Sequence, residues 1–142
     1  MKFSNEGNPA IATARRFAAA LDQSDWEAAI ACLAKNCEYS FRGKSSHGRD
    51  QIVSSYRTIG EWVDASFESV RYESAVEALP PDRARISFRD IMDHRGHHLD
   101  FRCQQIITLG TEGTIAHIEH IDIPGEAEKA ERFNAACGVK KP

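Results

Sequence analysis

The residue types best suited to acid–base chemistry lie on segments with the alternation of β-strands. The stretch 114–124, TIAHIEHIDIP, carries His120 and Asp122 on one face and His117 and Glu119 on the other, because successive strand side chains point to opposite sides. We predict that the face with His120 points inward. A bulge in the strand would shift the register and reverse this assignment.

Two neighbouring segments help to define the inward face. In 83–93 the apolar set is Ala84, Ile86, Phe88 and Met92, and it includes Asp90. In 97–109 the corresponding set includes Phe101 and Gln105. We therefore predict that the catalytic residues are Asp90, His120 and Asp122, which converge in one cavity. The predicted ligand-binding residues are Trp26, Tyr39, Tyr56, Phe88, Phe101 and Gln105, with Phe41, Trp62 and Tyr72 as further candidates for the lining.

This set of side chains indicates proton transfer. A carboxylate among aromatic side chains has a raised pKa, and a histidine beside a carboxylate is oriented and kept basic, so either can act near neutral pH. The base would be Asp90 or the His120 and Asp122 pair. Tyr39 or Tyr56 would donate a hydrogen bond to a developing oxyanion. The structural alternative leaves Asp90 in solvent, His120 bonded to a backbone carbonyl in the core, and Asp122 anchoring a turn.

Composition excludes several classes of function. The chain has 142 residues, 42% hydrophobic and 27% charged, with a net charge of −3, so it lacks the basic excess that nucleic-acid binding requires. This length fits a single domain over 1–142. No apolar run reaches the roughly 20 residues of a membrane span, and the stretch MKFSNEGNPA lacks the apolar segment of a signal peptide. We expect a cytoplasmic protein with neither nucleic-acid nor membrane partners.

Cysteine and histidine spacing shows no metal motif. The cysteines contain no C-x-x-C pair and are interpreted as packing residues: Cys32, Cys37, Cys103 and Cys137. His94, His97 and His98 surround a turn, and strand alternation sends the last two to opposite faces. We expect no metal and no cofactor.

Periodicity predicts an α+β fold. Four helices are predicted, at about 9–22, at 49–64, within 125–138, and a short one that begins at a capping box formed by Ser24 and Glu27. Strands are predicted at 38–42, 67–79, 83–93, 97–109 and 114–123, with KSSHG as a loop. The last four strands form an antiparallel meander, and the helices pack on one face of a curved sheet.

The order of these motifs resembles the nuclear transport factor 2-like superfamily, especially its SnoaL-like and ketosteroid-isomerase-like branches. The resemblance covers about 8–123 and rests on LDQSDWEAAIACLAKNCEYSFRG, GRDQIVSSYR and EGTIAHIEHIDI. It implies a cone-shaped barrel, in which a mostly antiparallel sheet wraps around three N-terminal helices and leaves a pocket, with a short C-terminal helix.

The resemblance also implies a range of functions. We predict a cofactor-independent isomerase, cyclase or dehydratase acting on a small apolar or aromatic ligand. The alternative is a non-catalytic ligand-binding or dimerisation module of the same fold. A homodimer is expected through the outer sheet face, which carries Arg85, Arg89, Arg102, His117 and Glu119.

Overall fold

The computed structural model describes residues 8–141. Residues 1–7, which hold most of the stretch used to argue against a signal peptide, lie outside this range, as does residue 142. Within 8–141, no helix is long and apolar enough to cross a membrane.

Four helices are present in the described chain: α1 (Pro9–Asp22), α2 (Trp26–Cys32), α3 (Arg49–Ser66) and α4 (Glu126–Cys137). The Asn8 side chain caps α1 by accepting a hydrogen bond from the Ala10 amide at 2.9 Å. The predicted capping box of α2 is wrong, because Asp25 is its N-cap and accepts from the Ala28 amide at 3.2 Å. Ser24 instead lies in the preceding turn with φ of 55°.

Six strands form one sheet: β1 (Leu33–Phe41), β2 (Lys44–His47), β3 (Ser69–Leu79), β4 (Arg83–His94), β5 (His97–Leu109) and β6 (Ile115–Asp122). Their order is β2-β1-β6-β5-β4-β3. The predicted antiparallel meander is confirmed for β3 to β6, whereas β1 pairs with β6 in parallel. The sheet is curved over the helices but not closed. The loop predicted at KSSHG is wrong, because β2 occupies most of it as an edge strand.

The main core lies between the helices and the inner face of the sheet. Phe17 of α1 is fully buried, and Ile52 and Val53 of α3 are each 2% exposed. They belong to the same packed cluster as Ile86 and Ile107 of the central strands. Because helices cover this face, the alternate residues of β4 and β5 face inward as their pattern predicts.

A bulge sets the register of β6. Leu109 pairs with Ile115, whereas Thr108 pairs with His117. Ala116, which lies between them, was predicted to face inward, but the bulge leaves it half-buried and buries Ile115 fully. Beyond the bulge the predicted alternation holds.

A smaller cluster joins α4 to the far end of the sheet. Phe133 of α4 packs against Phe67, with ring centroids 5.4 Å apart. Trp62 was a candidate for the cavity lining, but it packs edge-on against Phe67 in this cluster instead. Arg95 Nη1 donates to the Cys137 carbonyl at 2.7 Å, which ties the β4–β5 turn to the end of α4. All four cysteines are free thiols.

Candidate active site

A cavity of about 630 Å³ lies between the inner face of the sheet and the first three helices. This volume is within the usual range of small-molecule sites. The cavity lining includes every predicted catalytic and ligand-binding residue: Trp26, Tyr39, Tyr56, Phe88, Asp90, Phe101, Gln105, His120 and Asp122. Phe41 and Tyr72 also line it. Alternation in the strands and helical spacing in α3 therefore identified residues on both sides of the cavity.

A chain of hydrogen bonds links the polar side chains Tyr56, Gln105 and His120 of the cavity lining. The Tyr56 hydroxyl, from α3, donates to Gln105 Oε1 on β5 at 2.8 Å. The other end of this amide, Nε2, lies 3.4 Å from His120 Nδ1 on the paired position of β6. Gln105 is only 3% exposed, so these contacts satisfy a polar group that burial would otherwise penalise.

The chain continues to an ion pair at the edge of the cavity. His120 Nε2 lies 3.3 Å from Asp122 Oδ1. Asp122 accepts two hydrogen bonds from Arg42, at 2.6 Å from Nε and 3.2 Å from Nη2. These bonds lower the pKa of Asp122, while burial lowers the pKa of His120 despite the nearby carboxylate. A neutral imidazole with its proton on Nε2 fits both contacts, accepting from Gln105 and donating to Asp122.

Asp90 lies in a different part of the wall. It is on β4 opposite Phe101, two strands away from β6. No residue in 8–141 donates a hydrogen bond to its carboxyl group, and burial, together with the nearby charge of Asp22, raises its pKa to about 6. Asp90 is therefore a carboxylate in an apolar setting that holds its proton until close to neutral pH.

Asp22 is the second carboxylate of this region. It ends α1 and accepts a hydrogen bond from the Ser74 hydroxyl of β3 at 2.6 Å. Burial also raises the pKa of Asp22, and the hydrogen bond from Ser74 opposes that increase. Two carboxylates with raised pKa values thus lie on the β3–β4 side of the cavity.

Asp90 and His120 were predicted to lie in contact, but within residues 8–141 no hydrogen bond or ion pair joins them. Cys103 of β5 lies between the two parts of the site. It is opposite Asp122 of β6 in the sheet, and its side chain lines the cavity between β4 and β6. Burial raises the pKa of its thiol to about 12, so Cys103 is an apolar spacer rather than a nucleophile. His120, Asp122 and Gln105 form one group, and Asp90 stands apart from it.

Sequence patterns missed four charged residues of the lining: Asp22, Arg42, Lys44 and Lys141. Alternation in β1 assigns Arg42 to the outer face, but its φ of 49° turns the chain after Phe41 and brings the guanidinium to Asp122. The Gly43 that follows, with φ of 78°, is the only local sign of this turn. Asp22 was missed because it follows the last apolar position of α1, and only the packing of α1 on β3 brings it to the cavity.

An α+β fold with a cavity between the helices and the sheet defines a class of protein, and comparisons with known proteins name its family. Residues 14–118 match the model of the SnoaL-like domain, and the chain belongs to that family. The predicted resemblance to the nuclear transport factor 2-like superfamily is thereby confirmed. A search of curated proteins finds no match.

Solved structures show the same fold at low sequence identity. Bal32a, from a soil-derived mobile gene cassette, is 18% identical with a TM-score of 0.70, over 91% of this chain and 98% of that one. An LEH-like epoxide hydrolase of Mycobacterium tuberculosis is 17% identical with a TM-score of 0.64, over 92% and 96%. RV0760c of M. tuberculosis, in complex with estradiol-17β-hemisuccinate, is 14% identical with a TM-score of 0.61, over 84% and 97%.

Proposed function

We propose that this chain is a cofactor-independent enzyme that transfers a proton on a small, largely apolar ligand, as isomerases, cyclases and dehydratases do. Asp90 is the base. The observation that carries this proposal is a carboxyl group without a hydrogen-bond donor in the wall of an apolar, aromatic cavity of about 630 Å³. Such a group is costly to the fold and useful to catalysis.

Asp90 suits a general base better than His120 does. With a pKa of about 6, Asp90 is mostly ionised at pH 7, and its carboxylate is a stronger base than an ordinary aspartate for removing a weakly acidic proton. Both ring nitrogens of His120 already contact protein groups, Gln105 and Asp122. We assign His120 and Asp122 the task of holding the Gln105 amide and the tyrosines beside it in place.

Tyr39 is the proposed donor to the developing oxyanion. Burial raises its pKa to about 12, so the phenol keeps its proton at neutral pH. The Tyr56 hydroxyl proton is already directed at Gln105, and the Tyr39 hydroxyl lies beside both groups, whose hydrogen bonds oppose the increase in its pKa. A neutral hydroxyl in an apolar cavity stabilises negative charge more effectively than it would in water.

The class of ligand is supported by shape and by analogy of fold. The aromatic side chains around the cavity provide flat apolar surfaces, which favour rings. RV0760c has the same fold and was crystallised with a steroid derivative. We therefore place fused-ring and cyclic ketones first among candidate ligands.

The test is exchange of carbon-bound hydrogen. The protein is incubated in D₂O with 2-tetralone and with a β,γ-unsaturated steroid ketone, and deuterium uptake beside the carbonyl is followed by NMR. Asp90→Asn should lower a protein-dependent exchange rate by about 10²- to 10⁴-fold. Asp93→Asn, exposed on the same strand, is the matched control.

The two functional hypotheses give different results in this experiment. Binding of a ketone without any protein-dependent exchange favours the non-catalytic binding module. Exchange that is equally fast in Asp90→Asn contradicts the assignment of the base.

We also propose a homodimer through the outer face of the sheet. This face is a mixed-charge surface in which Arg89 forms a two-bond pair with Asp100, at 2.9 and 2.7 Å. Ile106 and Ile121 lie half-buried on the same face. Light scattering at micromolar concentration should give a dimeric mass, and Ile106→Glu should give a monomeric one. A monomeric mass for the unsubstituted chain contradicts the dimer.

A further inference from the structure

Apart from the Arg42–Asp122 ion pair, the charged residues of the cavity lining at the two edges of the sheet differ in sign. The acidic residues Asp22 and Asp90 lie toward β3 and β4, at one edge of the sheet. Arg42 and Lys44 lie at β1 and β2, at the opposite edge. Lys141, from the segment after α4, also lines the cavity. The lining at β3 and β4 is therefore acidic, whereas Lys44 brings an unpaired positive charge to the lining at the opposite edge.

The lysines of the lining lie where the cavity opens to solvent. Lys44 and Lys141 are exposed although they line the cavity, and Ile59 of α3, which also belongs to the lining, is 47% exposed. Arg42 is neutralised by Asp122. Within residues 8–141, the ion pairs that involve a lysine are confined to Lys129. The mouth thus carries positive charge that the described part of the chain leaves uncompensated.

We propose that the ligand of this cavity is an amphipathic anion, with its apolar body inside and a carboxylate, sulfonate or similar group held at the mouth by Lys44 and Lys141. This inference rests on the proposed function, since it presupposes that the cavity binds a small apolar ligand. An ionised Asp90 repels a negative group at the inner end and so disfavours the reversed orientation. The charge distribution thereby selects which end of the ligand reaches the base.

The sheet also sets the length of such a ligand. Four strand-to-strand steps separate β2, which carries Lys44, from β4, which carries Asp90, and each step is about 4.8 Å, so the two backbones are on the order of 19 Å apart along the sheet. A ligand that spans them needs an extended apolar body between its reacting carbon and its anionic group.

A pair of fluorescent dyes tests the anionic preference. 1-Anilinonaphthalene-8-sulfonate and N-phenyl-1-naphthylamine share one aromatic body, and only the first carries a sulfonate. The sulfonated dye should bind about tenfold more tightly at low ionic strength, and this advantage should shrink in high salt. Quenching of Trp26, which lines the cavity, in a Trp62→Phe background locates the bound dye.

Lysine variants assign the effect to the mouth. The double variant Lys44→Gln and Lys141→Gln should lose most of the preference for the sulfonated dye and bind the neutral dye unchanged. Lys140→Gln is the matched control, because Lys140 is equally exposed but does not line the cavity.

The outcomes separate the two proposals. If both dyes bind equally well, or if Lys140→Gln acts like the double variant, the anionic ligand is refuted while a binding cavity stands. If neither dye binds although a ketone undergoes protein-dependent exchange, the anionic ligand is refuted while the proposed function stands. If neither dye binds and no ketone binds or exchanges, both proposals fail.

Discussion

Replacing Asp90 with asparagine should stabilise the folded chain at pH 8 while removing the proposed base. Burial raises the pKa of Asp90 in the folded chain from 3.8 to about 6. The folded state therefore binds this proton more tightly than the unfolded state does. The corresponding stability is fully present below pH 3.8 and is lost as the pH rises through 6. Asparagine carries no charge at any pH and avoids this loss.

The size of the effect follows from the two pKa values. A difference of one pKa unit corresponds to about 1.4 kcal/mol, so ionised Asp90 costs the fold at most about 3 kcal/mol above pH 7. The gain in free energy of unfolding for Asp90→Asn should be about 1–3 kcal/mol at pH 8 and less than about 1 kcal/mol at pH 4.

Urea unfolding of both chains at pH 4, 6 and 8 measures this difference. Asp100→Asn is the control of opposite sign, because hydrogen bonds from Arg89 lower the pKa of Asp100. That variant should be less stable than the parent at pH 8 and should approach it in acid. An Asp90→Asn variant that is destabilised at pH 8, or whose effect does not change with pH, refutes the reasoning.

Further predictions concern the hydrogen-bonded group around His120. In an NMR titration the His120 imidazole should have a pKa below 6.5. Asp122→Asn should lower this pKa further and Arg42→Gln should raise it. A pKa that is the same in both variants as in the parent contradicts the arrangement. His120→Gln should keep the fold, as judged by circular dichroism, while lowering turnover or ligand affinity. Tyr56→Phe leaves the buried Gln105 oxygen without its donor and should lower the free energy of unfolding by about 1–2 kcal/mol in urea; an unchanged midpoint counts against that bond.

Elements with strong local signals were predictable. Asn8 before Pro9 fixed the start of α1, because the asparagine side chain caps the helix and proline suits its first turn. The long strands β4 and β5 alternate clearly and end at turns. Strand β2 was missed because Lys-Ser-Ser-His has no apolar alternation and pairs through its backbone at the edge of the sheet.

The candidate site was only partly predictable. Periodicity places side chains on faces, so it assigned Asp90, His120 and Asp122 to the inner surface. It cannot measure how far apart two positions of one face lie, and the predicted contact between Asp90 and His120 failed for that reason. Arg42 was missed because a turn redirects its side chain.

The parallel pairing of β1 with β6 means that the site is completed only when an early and a late segment of the chain come together. Tyr39 of β1 and Ile118 of β6 are neighbours in the sheet, although most of the chain separates them. Joining such distant segments costs loop entropy and slows folding. During translation, α1 and β1 are synthesised first, and β1 lacks its parallel partner strand until β6 has left the ribosome. A chain that ends before residue 115 therefore lacks β6, and with it His120 and Asp122 of the cavity lining.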